Sequence, residues 1–304
     1  MGQSMRDIKR RIRSVKNTQQ ITKAMEMVAA AKLRRVQGQV LAGRPFAEKL
    51  QEVLGRLLSS AAAAKRRVEH PLLAARPVNK VCYVVIAADR GLAGGYNANL
   101  IRKATETLSA EEREYELIVV GRRVRDFFAK RNYPIYDEYT QIGDEIDFAE
   151  AKELARRLMD AFKEGEFDEI YLVYSAFVNV SVHRPTVTRL LPLARPEASA
   201  DSDAAKPNAA ESGESEEMEY IYEPNASTLL GILLPRFVET LVYRALMEAK
   251  ASEHGARMVA MRNASDNAEE LIEGLTLSFN RARQASITTE LAEIVGGANA
   301  LISG

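Results

Sequence analysis

Residues Arg236 to Val295 read RFVETLVYRALMEAKASEHGARMVAMRNASDNAEELIEGLTLSFNRARQASITTELAEIV. This stretch decides the fold. It contains no proline, only Gly255 and Gly274 weaken it, and it is rich in Ala, Glu, Leu, Met and Arg, all favourable helix formers. The composition predicts one helix, about 90 Å long at 1.5 Å rise per residue. A compact domain of 304 residues would be only about 50 Å across, so the helix is expected to project from it. Val238, Val242, Ala245, Ala249, Ser252, Ala256 and Val259 step by four and three, a seam of small residues that lets a partner backbone come close. The stripe reads as degraded at Arg262, Asn263, Asp266 and Asn267 and as resuming at Leu271, Leu275, Ser278, Ala282 and Ala285.

A complementary seam lies at the other end of the chain. Ile8, Ile12, Val15, Ala29, Leu33, Val36 and Val40 follow the same alternation, with Gln19, Thr22 and Glu26 filling its middle. Polar residues in a seam cost stability but fix register. Pro45, after Gly43, is expected to kink or end this helix, with Phe46 to Leu58 continuing as a shorter piece. The basic Lys65 to Arg67, then Pro71 and Pro77, mark a boundary.

The texture then changes. Val81–Ala87, Leu117–Val120, Ile170–Phe177 and Thr186–Leu193 read as strands, and Asn97–Leu108, Arg122–Lys130 and Phe148–Lys163 as helices. The acidic, Ala- and Ser-rich run Arg195–Glu219 is expected to be a mobile loop. Tyr220–Tyr222 could add an edge strand, Ala226–Leu234 a short helix, and Pro235 the first turn of the long helix. The expected class is α plus α/β: a long antiparallel two-helix coiled coil formed by the chain termini, with an inserted Rossmann-like α/β domain of about five strands. The domains are expected at 1–72, 73–224 including the acidic loop at 195–219, and 225–304. The α/β segment joins the end of the first helix to the start of the last, so the two must run antiparallel. About 30 Å of the last helix overhangs, carrying Leu291, Ile294, Val295, Ala298, Leu301 and Ile302. Apolar residues on a lone helix expect a partner to enclose them.

Charge and composition exclude several classes. The 42 basic and 42 acidic residues balance, which predicts neither nucleic-acid nor membrane binding. Locally, Met1–Arg44 is strongly basic, yet its helical pattern runs past any plausible cleavage point, so a retained helix is expected rather than a transit peptide. No run of about 18 apolar residues predicts a membrane span, and a cytoplasmic protein is expected. Cys82 is alone in an apolar run, a core thiol. His70, His183 and His254 are scattered without metal-ligand spacing. The loop Gly91–Asn97 lies between a strand and a helix, but it lacks the dinucleotide fingerprint and a phosphate-binding lysine. It reads as a tight glycine turn. No nucleophile, base and oxyanion set is present, so neither catalysis nor a cofactor is expected.

Two strings carry more. Ile21 to Lys32, ITKAMEMVAAAK, and Asn280 to Glu290, NRARQASITTE, closely resemble the γ subunits of F-type ATP synthases, as do Ser252–Asn267, Asp89–Asn97 and Leu190–Leu193. The resemblance implies a central rotor shaft: an antiparallel coiled coil inside a ring of α and β subunits, with a foot on the membrane ring of c subunits. Proton flow would turn the ring and shaft and drive each β subunit through binding, synthesis and release of ATP. The chain itself would be non-catalytic, without cofactor or metal. Its implied partners are α, β, ε and the c ring, with no nucleic acid, no membrane insertion and no homo-oligomer, peripheral on the cytoplasmic face of a bacterial membrane. By motif, Arg283, Gln284 and Thr288 resemble residues that engage a β-subunit loop, and Lys23 and Met25 lie in the matching N-terminal region. Arg90, Gly91 and Ala93 fall in the loop that approaches the base of the β subunits, where the family often has cysteine in place of Ala93. Leu291, Ile294, Val295, Ala298 and Leu301 would form the bearing tip, and Lys32, Arg34, Glu239 and Tyr243 the c-ring foot. The acidic loop lacks the cysteine pair of chloroplast γ subunits, so thiol regulation of that kind is not expected. A coiled-coil scaffold and a nicotinamide oxidoreductase are the competing classes.

Overall fold

The computed structural model describes residues 5–63, 70–143, 146–193 and 226–302. In chain order its elements are α1 (Met5–Ala63), a 3-10 turn (Pro71–Leu73), β1 (Lys80–Ile86), α2 (Tyr96–Ser109), β2 (Glu114–Val120), α3 (Arg122–Ala129), β3 (Ile135–Tyr139), α4 (Phe148–Glu164), β4 (Glu169–Phe177), β5 (His183–Leu191) and α5 (Ala226–Ile302). They divide into two compact units, one of residues 32–91 and 95–256, the other of residues 1–31, 92–94 and 257–304.

The larger unit is built on a five-stranded sheet in the order β3-β2-β1-β4-β5. All neighbours are parallel except β4 and β5, which are antiparallel. β1 is apolar on both faces, as a central parallel strand must be. Val81, Tyr83 and Val85 pack with Leu100 and Ala104 of α2 and Val124 and Phe128 of α3. Cys82, Val84 and Ile86 face the other layer, where Leu154, Leu158 and Phe162 of α4 meet Leu33, Val36, Leu50 and Leu54 of α1 and Val238, Val242 and Leu246 of α5. Cys82 is the core thiol its context predicts, with burial pushing its pKa up. Asp147 caps α4 by accepting from Ala149 N at 3.2 Å, and Gly165, at φ 83°, ends it.

Four strands and three helices of this unit lie where the sequence places them. The fifth strand, β3, does not stand out from its sequence. Ile-Tyr-Asp-Glu-Tyr is half-exposed at the sheet edge, so it needs no apolar run. Tyr220–Tyr222 and the acidic stretch 195–219 lie outside the described residues.

Two helix boundaries expected at prolines are absent. Pro45 neither ends α1 nor leaves a separate short helix, and Pro235 lies inside α5 rather than in its first turn. A proline inside a helix costs about 3 kcal/mol locally. Packing on both sides carries each helix through. Val36 and Leu50 are buried around Pro45, and Leu234 and Val238 around Pro235.

The smaller unit pairs the first part of α1 with the second part of α5. Thr22 meets Ser265 at 2.7 Å and Glu26 meets Arg262 at 3.0 Å. As the α1 number rises by four, the α5 number falls by three, so the helices are antiparallel. Every expected α1 seam position, Ile8 through Val40, is buried or half-buried.

Candidate functional site

An open α/β sheet would bind a nucleotide at the carboxyl ends of its strands, where strand order switches. Here that edge is closed by the chain itself. Asp89 Oδ1 accepts from Arg122 N at 2.9 Å, at the start of α3, and from Gln141 N at 3.2 Å. Asn97 Oδ1 accepts from Ala88 N at 3.2 Å. Gly121 sits at φ 104°, and a methyl there would lie 2.3 Å from Ala87 O. Ile142, Ile146, Leu246, Ala249, Lys250 and Glu253 leave a cavity of about 10 Å³, room for about one water. No dinucleotide fits there. The three histidines are far apart in sequence and role: His70 caps the 3-10 turn, His183 opens β5, and His254 is buried in α5.

The helix pair holds the more distinctive arrangement. Thr22 Oγ1 donates to Gln19 O at 3.0 Å, so its single proton is committed and Ser265 must donate to Thr22. Beside them Glu26, 6% exposed, accepts from Lys23 Nζ at 3.1 Å and Arg262 Nε at 3.0 Å. The Lys23 ammonium, helped by the Arg262 guanidinium, holds the Glu26 carboxyl below its usual range despite burial. A polar seam of this kind fixes register, because sliding either helix by one turn takes Arg262 away from the buried Glu26 carboxylate and Ser265 away from Thr22.

The α5 seam does not degrade at Arg262, as the sequence suggests. It changes phase and continues through Met261, Ser265, Ala268, Ile272, Leu275, Phe279, Ala282 and Ser286, each buried or half-buried. Leu271, Ser278 and Ala285 are exposed instead, Leu271 at 59%. A straight helix drifts about 20° per heptad against a 3.5-residue repeat, so a stripe extrapolated over many turns slides off the contact face. Arg262 is not a defect but the reach across to Glu26.

Thr22 and Ser265 sum to 287, so that register places Met5 level with Ala282. From there to Ile302 α5 runs 20 more residues, about 30 Å. Residues 287–298 are all exposed, with Leu291 at 58%, Ile294 at 67% and Val295 at 57%. Gln284, Thr288, Leu291, Val295 and Ala298 step by four, three, four and three down one side of this extension, polar near the seam and apolar beyond. It is a second stripe, distinct from the one that meets α1.

The sequence matches the ATP-synt family, described as ATP synthase, over residues 4–301. It is 54% identical to the ATP synthase gamma chain of Moorella thermoacetica and 50% identical to that of Pelotomaculum thermopropionicum, in both cases over 98% of this chain and 99% of the relative. The chain belongs to the ATP synthase gamma-chain family. The fold agrees. A chain of the Euglena gracilis mitochondrial ATP synthase, solved with F1 and c-ring in rotational state 3, superposes with a TM-score of 0.65 at 20% identity, covering 99% of this chain and 95% of that one. A chain from the central stalk and c-ring of the Tetrahymena thermophila mitochondrial enzyme gives 0.59 at 22% identity, over 81% of this chain and 99% of that one. The function implied by the sequence motifs, a central-stalk rotor subunit of an ATP synthase, is that of the family.

The residues marked by family motifs fall in different settings. Arg283, Gln284 and Thr288 are exposed on α5, with Thr288 Oγ1 donating to Gln284 O at 2.9 Å. Lys23 is exposed and Met25 half-buried on α1. In the smaller unit Ala93 is buried at 2%, while its neighbour Leu92, at φ 62°, is 65% exposed. In the larger unit Arg90 is exposed and Gly91 lies close to the Arg123 guanidinium. Of the residues expected at the foot, Arg34 is exposed and Lys32 half-buried. Glu239 is buried and paired with Arg236 at 3.0 Å. Tyr243 stacks edge-on against Phe148 at 5.4 Å. Glu239 and Tyr243 are thus held by their own chain. Among the described residues no helix is long and apolar enough to cross a membrane.

Proposed function

We propose that the chain is the rotating shaft that couples rotation of a proton-driven c ring to ATP synthesis or hydrolysis at the β-subunit sites, and that it contributes no catalytic group. The observation that carries this reading is the extension of α5 beyond Ala282: about 30 Å of helix with Leu291, Ile294 and Val295 in water. An isolated helix of this kind is poorly stabilised without an enclosing partner, and a sleeve of α and β subunits supplies one. Its sides differ: one carries Gln284, Thr288, Leu291 and Val295, and the opposite one carries Thr289 and Glu293. Only an element that makes unequal contacts with the conformers of its partners can drive them from one to the next, and this one presents a different face to each as it turns. Arg283, Gln284 and Thr288, with Lys23 and Met25, would meet the β-subunit loops, as would the turn bearing Arg90, Gly91 and Ala93. Lys32, Arg34, Glu239 and Tyr243 would lie toward the c ring and ε. The complex would sit with this chain peripheral to the cytoplasmic face of a bacterial membrane.

The test is reconstitution. Cys82 is buried, so Glu164→Cys on an exposed turn of α4 can carry a single optical label. With α and β subunits and ATP, the label should rotate in one direction, whereas the chain alone should show no ATPase activity and sediment as a monomer. An α/β complex fully active and equally cooperative without this chain would overturn the reading. A self-dimer that leaves α and β unbound would favour a scaffold.

A further inference from the structure

Two parts of α1 are anchored in the core of the larger unit. Leu33 and Val36 are buried before an interruption, and Leu50, Leu54 and Leu57 after it, none more than 7% exposed. Seam positions run by threes and fours through Leu33, Val36, Val40, Gly43, Ala47, Leu50, Leu54 and Leu57. Gly43 is the member without a side chain, and a methyl added there would meet nothing within 4 Å.

Around it the helix is bare. All six residues from Leu41 to Phe46 are exposed, Leu41 at 64% and Phe46 at 61%. Six residues exceed the 3.6 of a full turn, so no face of α1 is packed here among the described residues. The same turn holds Pro45, which cannot donate to the Leu41 carbonyl. Arg44 and Glu48 pair at 2.6 Å across it, but both are more than 60% exposed, and such pairs are weak. Gly55 shows what a helical glycine looks like elsewhere in α1: its Cβ space is also open, yet Leu54 and Leu57 beside it are buried.

A turn with neither packing nor full hydrogen bonding, and with the two poorest helix formers, opens before the turns on either side. We propose that Leu41–Phe46 is a built-in soft joint of α1, which opens and recloses while both flanks stay packed. In a turning shaft such a joint takes up bending at one place. That use rests on the rotor reading; the joint itself does not.

Amide hydrogen exchange on the full chain tests it. The amides of residues 42–48 should exchange at least about tenfold faster than those of 33–40 and 50–57. Gly43→Ala should slow them about fivefold, equivalent to about 1 kcal/mol, and Gly43→Ala with Pro45→Ala by more than tenfold. Gly55→Ala should leave them unchanged. Uniform protection along α1, or no slowing in the double variant, overturns the joint. In the complex with α, β and ring subunits, continued fast exchange supports it, and strong protection shows that a partner covers the turn and overturns it. Failure of the rotor reading would show separately, as full turnover without this chain.

Discussion

The hydroxyl pair in the helix seam makes a quantitative prediction. Thr22 and Ser265 are 8% and 5% exposed and 2.7 Å apart, and the proton order runs Ser265 to Thr22 to Gln19 O. In Thr22→Val the Ser265 hydroxyl loses its acceptor. It can turn back to the carbonyl four residues earlier, which recovers part of the loss, so the cost should be about 1 to 1.5 kcal/mol. In Ser265→Ala, Thr22 keeps its bond to Gln19 O at 3.0 Å and only its acceptor site empties, for about 0.5 to 1 kcal/mol. The double variant replaces both partners by apolar groups of similar shape and strands neither. It should be less destabilised than the sum of the singles by about 1 kcal/mol. Urea unfolding of the full chain, followed by helical circular dichroism, gives the three differences. A coupling below about 0.3 kcal/mol would refute the buried contact. The double variant should also loosen register, since Glu26 and Arg262 would then hold it alone.

Glu111 accepts from Arg113 at 2.7 and 2.9 Å and from the Tyr83 hydroxyl at 2.6 Å, and the guanidinium, more than any other group, lowers its pKa to about 2. Its unfolded value is about 4.3, so its contribution is fully present above that pH and lost as the pH falls toward 2. Glu111→Gln should remove on the order of 2 kcal/mol at neutral pH, allowing for the partly exposed Arg113, and flatten the acid limb of the urea midpoint against pH; an unchanged limb would contradict it. Gly121→Ala forces a left-handed alanine against Ala87 O and should cost about 3 kcal/mol or more, read as a lowered melting temperature; parental melting would show that the turn relaxes. Leu291→Ser with Val295→Ser should change the stability of the isolated chain by no more than about 0.5 kcal/mol but lower ATP turnover of the reconstituted complex, and Gln284→Ala should do the same. Lost stability with unchanged turnover would reverse the assignment of that stripe.

The sequence by itself determined the seam on α1 residue by residue, because Ile8, Ile12 and Val15 at one end and Ala29, Leu33 and Val36 at the other set its phase and the polar Thr22 and Glu26 fall on it. It also determined the buried strands β1, β2 and β4, whose side chains must be apolar on both faces. The family was legible in two short strings, one on each helix of the pair. Tertiary structure decided the rest. On α5 beyond Arg262 small or apolar residues fall on neighbouring lines, through Ile272 and Phe279 and through Leu271, Ser278 and Ala285, and periodicity cannot say which meets α1. The contact at Thr22 and Glu26 chooses the first. Local rules end a helix at Pro45 and Pro235, but packed flanks outweigh a local cost of about 3 kcal/mol. β3 is a strand because β2 offers it an edge, not because Ile-Tyr-Asp-Glu-Tyr demands one. The glycine loop that might have cradled a phosphate lies at an edge filled by the chain's own Asp89, Ile142 and Leu246. Sequence patterns report what a segment could bury, whereas which surface it buries is set by the partner that arrives.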